Sequence, residues 1–184
     1  MEISKHILTS LGEIYLWKVE NYSTRIATGE KKRIIERSEI RAKLNALGVS
    51  NEIVYKENGQ PYLKDLPNVY ISISHSNGVL ALYIANQAVG IDVEFERTSM
   101  FEGRHYFVNE QEEKMDLSQE TLQLIWGAKE AFYKKMEGQI PDLKNEVTVA
   151  SVRSNEGKVG LVYGKSENEL MFHCWEELYL VYTI

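Results

Sequence analysis

The sequence predicts an α+β fold built from two similar halves, each a small antiparallel sheet packed on one long helix. Short stretches rich in β-branched and aromatic residues fall at 13–19, 69–74, 79–85 and 91–96, then at 146–152, 158–163, 169–174 and 177–183. Two longer stretches, 29–47 and 120–137, place apolar residues at helical spacing. The order strand, helix, strands is therefore traversed twice, which sets expected domains at 1–90 and 91–184. Paired halves of this kind form a pseudo-dimer, and the cleft between them is the expected site, since pockets favour such junctions.

The elements follow from local chemistry. Glu13 to Val19 reads as a strand from its β-branched and aromatic content. In the first helix Ile40, Leu44 and Leu47 recur at i, i+4 and i+7, and Gly48 stands where a C-terminal cap is expected. Asn58-Gly59 followed by Pro61 marks a hairpin or turn. Val69, Ile71 and Ile73 share one face of the next strand and leave Ser72 and Ser74 on the other. Ser76-Asn77-Gly78 turns the chain into Val79–Ala85, and a second turn over 86–90 delivers Ile91–Glu96. Helices are predicted at 109–117 and 120–137; Ile125, Ala128, Phe132 and Met136 line one stripe of the second.

Composition narrows the function classes. The 184 residues carry 21 Lys+Arg against 27 Asp+Glu, a net charge of −6, with 43% hydrophobic and 26% charged residues. That is a globular composition, and its net acidity argues against general nucleic-acid binding, which needs a surplus of Lys and Arg. The single cysteine, Cys174, forms neither an internal disulfide nor a zinc site. The amino terminus, Met1-Glu2-Ile3-Ser4-Lys5, shows no signal-peptide pattern, and the longest apolar run, Val79–Ala85, is far below the ~20 residues of a membrane helix. The expectation is a cytoplasmic monomer.

Four groups of residues are candidates for chemistry. Asp92 and Glu94 point the same way from one strand, about 6–7 Å apart; they are either a solvated strand face or part of a divalent-cation site, since Mg²⁺ takes one or two carboxylates with water and phosphate. Glu130 and Lys134 are neighbours on one helical face, one turn after Trp126: a surface ion pair, or a metal ligand beside a phosphate-binding cation. Ser74 and His75 close a strand before a turn, where they either cap it or hold a phosphate; no Gly-x-Ser-x-Gly elbow accompanies them, which excludes a serine hydrolase. Finally Lys31, Lys32, Arg33, Arg37, Arg41 and Lys43 concentrate positive charge on the first helix, as a solvated face or a patch for a polyanion.

In this order, Ile73-Ser74-His75-Ser76, Gly90-Ile91-Asp92-Val93-Glu94 and Trp126-Gly-Ala-Lys129-Glu130-Ala-Phe-Tyr-Lys134 resemble the motifs of the 4′-phosphopantetheinyl transferase superfamily, in its two-half monomeric branch. Phe107 to Glu112 adds a weaker match to the segment between the last two. The resemblance implies transfer of the phosphopantetheine arm of coenzyme A to a serine of an apo acyl- or peptidyl-carrier protein, releasing 3′,5′-ADP. It implies that Asp92, Glu94 and Glu130 ligate Mg²⁺ and that Lys134 neutralises the pyrophosphate. Ser74 and His75 would hold the adenosine 3′-phosphate, helped by residues such as Lys32, Arg33, Arg37 and Arg41. Glu112, Lys129 or a water on the metal would take the serine proton. Where the family carries Gly-Lys-Pro, this chain has Gly59-Gln60-Pro61, so Gln60 meets coenzyme A without a charge and weaker binding is expected. The alternative this leaves is a non-catalytic relative that binds coenzyme A or a carrier protein.

Overall fold

Period-two alternation of apolar side chains builds the sheet of the amino-terminal unit. The computed structural model describes residues 3–49 and 51–184, so the Met1-Glu2 part of the amino-terminal reading lies outside the described residues. Strands β1 (Ser4–Leu8), β2 (Gly12–Lys18), β5 (Tyr70–Ser76) and β6 (Val79–Ala85) form an antiparallel sheet in the order β1-β2-β6-β5. Helices α1 (Tyr22–Ala27) and α2 (Lys32–Ala46) follow β2, and β3 (Ile53–Tyr55) and β4 (Pro61–Leu63) make a separate two-stranded hairpin around Asn58-Gly59. Ile35, Ile40 and Leu44 of α2 share a core with Ile71, Ile73, Leu80 and Leu82. Asn77 and Gly78, both at positive φ, close the β5–β6 hairpin in the two-residue form that matches strand twist.

The carboxyl-terminal unit is built on a five-stranded antiparallel sheet. Strands β7 (Ile91–Phe95), β8 (Val147–Arg153), β9 (Lys158–Tyr163), β10 (Ser166–Trp175) and β11 (Leu178–Thr183) pair antiparallel in the order β7-β11-β10-β9-β8. Short helices α3 (Met100–Gly103) and α5 (Leu143–Glu146) flank the long α4 (Gln119–Lys135) in sequence. Ser118 caps α4 by accepting from the Thr121 N–H at 3.1 Å. The Ile125, Ala128, Phe132 stripe packs with Val149, Val159, Leu161, Leu170 and Val181. The chain thus has a mixed α+β fold of antiparallel sheets and, among the described residues, five α-helices, and it divides after Ala88 into two compact units. No helix among the described residues is long and apolar enough to cross a membrane.

Three departures from the sequence reading have physical causes. β1 has exposed polar residues and no alternation to announce it; its partner β2 makes it a strand. The first long helix starts at Lys32 rather than 29, because Gly29 sits at φ 94 and ends the short α1 turn. The helix expected at 109–117 is only a 3₁₀ turn over Glu112–Lys114, followed by extended Met115. Asn109 Oδ1 accepts from the Gln111 and Glu112 N–H groups and Glu112 returns a bond to the Asn109 N–H, a capping box that begins a helix. The Glu112 carboxylate is instead drawn into the core, and the chain leaves the helical path.

Gly90 fixes how closely α4 lies on β7. A Cβ there would stand 1.7 Å from the Ala131 carbonyl oxygen. Its own N–H donates to Thr183 Oγ1 and its carbonyl accepts from the Thr183 N–H, pinning the start of β7 to the end of β11. Gly90→Ala is therefore expected to destabilise the protein by about 1–3 kcal/mol through forced separation of helix and sheet, read as a lower denaturant midpoint with an unchanged slope.

Candidate functional site

In the carboxyl-terminal unit, strand alternation turns Asp92 towards α4, opposite Val181. A Cβ on Gly127 would meet Val181 at 2.9 Å and reach within 3.9 Å of Asp92 Oδ2, so the missing side chain keeps this carboxylate close beneath the helix. Asp92 is buried, and Lys134 Nζ donates to its Oδ1 at 2.8 Å and to the Ile91 carbonyl at 2.9 Å. Arg97 Nη2 pairs with Glu94 Oε1. Burial pushes the Glu130 carboxyl above the usual range; Lys134 and Arg97 pull it down, while Asp92 and Glu94 push it further up. Burial likewise pushes the Lys135 ammonium down.

Lys134 of α4 is thus bonded to Asp92 of β7, and Glu130 feels the charges of Asp92, Glu94 and Lys134. Their donors are hard carboxylate oxygens, the chemistry a magnesium ion selects. The mutual repulsion of the three carboxylates is also what a divalent cation relieves. As they stand, Lys134 and Arg97 compensate two of the three, and among the described residues no three His, Cys, Asp or Glu side chains converge into a ready cage.

Glu112 and Lys129 lie in the interior of the same unit, both with side chains 0% exposed and 2.8 Å apart. The three Lys129 donors are matched by Glu112 Oε2, the Phe107 carbonyl and the Lys144 carbonyl. Glu112 Oε1 takes the Val149 N–H at 2.7 Å and Oε2 the Asn109 N–H at 2.9 Å. Burial pushes the Lys129 ammonium down, and its bond and charge attraction to Glu112 oppose that. Trp126 also turns inward, edge-on to Phe107 at 5.5 Å.

In the amino-terminal unit a pocket of about 480 Å³ is lined by Arg33, Glu36 and Arg37 of α2, by Tyr55, Lys56 and Pro61 of the hairpin, and by His75. Arg33 and Arg37 are one helical turn apart, and Arg37 lies over the Tyr55 ring at 4.4 Å. Arg41, a further turn along, is exposed and outside the wall, as is Lys32, which reaches Glu36 at 3.8 Å. Ser74 and His75 point to opposite faces of β5, so His75 joins the pocket while Ser74 is buried on the other side, opposite Ala81. Gln60 likewise stays out of the wall: its backbone N–H bonds Asn58 Oδ1, and its side-chain oxygen is buried without a hydrogen bond. The charge next to it in the pocket comes from Lys56, which sequence reasoning passed over together with Arg97, Tyr55 and Glu36. The β3–β4 pairing brings Tyr55 and Lys56 to the pocket and the pitch of α2 brings Glu36, while Arg97 follows β7 and pairs with Glu94. No protein-family model matches the chain, and no curated protein matches it.

Two substitutions separate structural from site charges. Lys129→Met leaves the Glu112 carboxylate buried and unpaired, and a loss of about 3–5 kcal/mol in unfolding free energy is expected, measured by denaturant titration. Glu130 behaves oppositely. Its unfolded value is about 4.3 and its folded value is higher, so folding is favoured at low pH and loses stability as pH rises through the folded value. Glu130→Gln is therefore expected to melt at a higher temperature than wild type at neutral pH without added metal, the two converging as pH falls below about 4.

Proposed function

We propose that this chain is a Mg²⁺-dependent 4′-phosphopantetheinyl transferase that converts an apo acyl- or peptidyl-carrier protein to its holo form with coenzyme A as donor. The observation that carries the reading is the set formed by Asp92 and Glu94 on β7 with Glu130 and Lys134 on α4, in which Lys134 Nζ bonds Asp92 Oδ1 at 2.8 Å and Glu130 is raised first by burial and then by the two strand carboxylates. The cationic pocket of Arg33, Arg37, Lys56 and His75 supports it from the other unit, as a place for the 3′-phosphate of the donor.

We read the two units as two similar α+β halves of one chain, each with one sheet face covered by its long helix. The protein is then a monomer that acts in the cytoplasm.

In the reaction, the carrier serine oxygen forms a bond to the β-phosphorus of coenzyme A. The bond from that phosphorus to the bridging oxygen breaks, 3′,5′-ADP leaves with the electron pair, and the hydroxyl proton passes to solvent or to a carboxylate on this face. Phosphoryl transfer of this kind needs alignment and charge neutralisation more than covalent help. Asp92, Glu94 and Glu130 would hold Mg²⁺, which supplies neutralisation of the pyrophosphate when bound. Lys134, steadied by Asp92 and the Ile91 carbonyl, adds a fixed positive charge at the same edge. Arg33, Arg37 and His75 bind the 3′-phosphate, and Lys56 provides the charge that Gln60 lacks. Glu112 and Lys129 act by holding the 107–115 loop to α4 and β8.

The test is intact-mass spectrometry of several apo-carrier proteins incubated with this protein, coenzyme A and Mg²⁺. A gain of one phosphopantetheine that disappears with EDTA and in Asp92→Asn is expected. Absence of any gain across acyl- and peptidyl-carrier proteins, with the protein folded and coenzyme A bound, overturns the transferase and favours a binding relative.

A further inference from the structure

Among the basic residues of the amino-terminal pocket stand two of the wrong charge for an anion site, exposed Glu57 and buried Glu36, and only the buried one is costly to keep there. Glu36 is 8% exposed, lies on α2 one residue before Arg37, and lines the same cavity. A buried carboxylate is costly unless paired, and here it also repels any phosphate the pocket holds. Its partners explain its place. Tyr22 Oη donates to Glu36 Oε1 at 3.0 Å, and His75 Nδ1 lies 3.3 Å from the same oxygen. The Tyr22 ring is seated against Gly78, where a Cβ would come within 2.7 Å of it, so the turn that ends the His75 strand also fixes the tyrosine. Burial, then the bond to Glu36, pushes the Tyr22 phenol up to about 12, which keeps it a donor.

We propose that Glu36 is a positioning residue: it holds the His75 ring through Nδ1 and thereby presents Nε2–H to a phosphate monoester in the pocket. The inference rests on reading this pocket as the site of the nucleotide 3′-phosphate. His75 then stands between two anions, donating from Nδ1 to the carboxylate and from Nε2 to the phosphate, and the oriented bond outweighs the repulsion from Glu36. Tyr22 bonds the same carboxylate oxygen that His75 approaches, so three segments distant in sequence aim a single ring.

The sign of one mutation decides between this role and a plain wall charge. If Glu36 only contributes charge, Glu36→Gln makes the pocket more positive and tightens anion binding. If it aims His75, the same change weakens binding of the phosphate monoester. The experiment titrates 3′,5′-ADP and 5′-AMP into wild type, Glu36→Gln, His75→Gln and the double variant, and takes the ratio of the two affinities as the value of the 3′-phosphate. Each single variant is expected to reduce that ratio roughly tenfold, as for loss of one charge-assisted hydrogen bond, and the double variant no further than either single one. A ratio that rises in Glu36→Gln, or losses that add, overturns the proposal. A wild type indifferent to the 3′-phosphate overturns the reading of the pocket instead. The orientation is then judged on ring-nitrogen NMR of doubly protonated His75 in the free protein, expected to show a hydrogen-bonded Nδ1–H in wild type that is lost in Glu36→Gln; an unchanged Nδ1–H signal overturns it. Should Glu36→Gln fail to fold, Tyr22→Phe is expected to give a smaller loss of the same sign in the affinity ratio, and no loss overturns the proposal.

Discussion

Everything chemical in the carboxyl-terminal unit depends on how near helix α4 comes to strand β7. Two positions without side chains set that distance: Gly90, under the Ala131 carbonyl, and Gly127, over Val181 and Asp92. With the backbones this close, a lysine on the helix reaches a strand carbonyl and a strand carboxylate together, and a helix glutamate feels both strand carboxylates. A wider spacing would leave four ordinary surface charges, each pair contributing little. The site is a property of the helix–sheet contact before it is a property of its acidic residues.

Two of the three lysines on α4, Lys129 and Lys134, serve the unit in contrasting ways. Lys129 is sealed inside, with three acceptors for its three donors, and acts as a bolt joining the 107–115 loop, α5 and β8. Lys134, five residues on, is partly open to solvent and bonds the edge strand β7. The difference follows from helix pitch, which turns positions five apart away from one another by well over a right angle. A matched buried pair adds little net stability over an apolar one, yet losing one member is severe. Such a pair therefore commits the loop to one path more than it deepens the energy well.

Much of this was legible in the sequence because it rests on local periodicity. The alternation in 69–74 and 79–85, the turn at Asn77-Gly78 and the stripe through Ile125, Ala128 and Phe132 each require only near neighbours to be read. Asp92 with Glu94, and Glu130 with Lys134, are brought together by strand and helix repeat alone. The same alternation separates Ser74 from His75, a consequence that motif reading overrode. What was not legible depends on distant partners. Glu112 sits in a sequence that starts a helix, and only Lys129 and the Val149 N–H explain why the helix stops. Glu36, lying among the basic residues of α2, takes a defined position only through Tyr22 and His75.

The β3–β4 hairpin pairs only with itself, outside the hydrogen-bonded ladder of the four-stranded sheet. It nevertheless supplies one wall of the pocket, with Tyr55, Lys56 and Pro61, while α2 and β5 supply the wall that the core holds rigid. Insertions or exchanges at its tip, between Tyr55 and Pro61, would break no strand pairing of the main sheet. Over evolutionary time such a pocket has one conservative jaw and one free to drift, so related chains could alter what they grip without relearning how to fold.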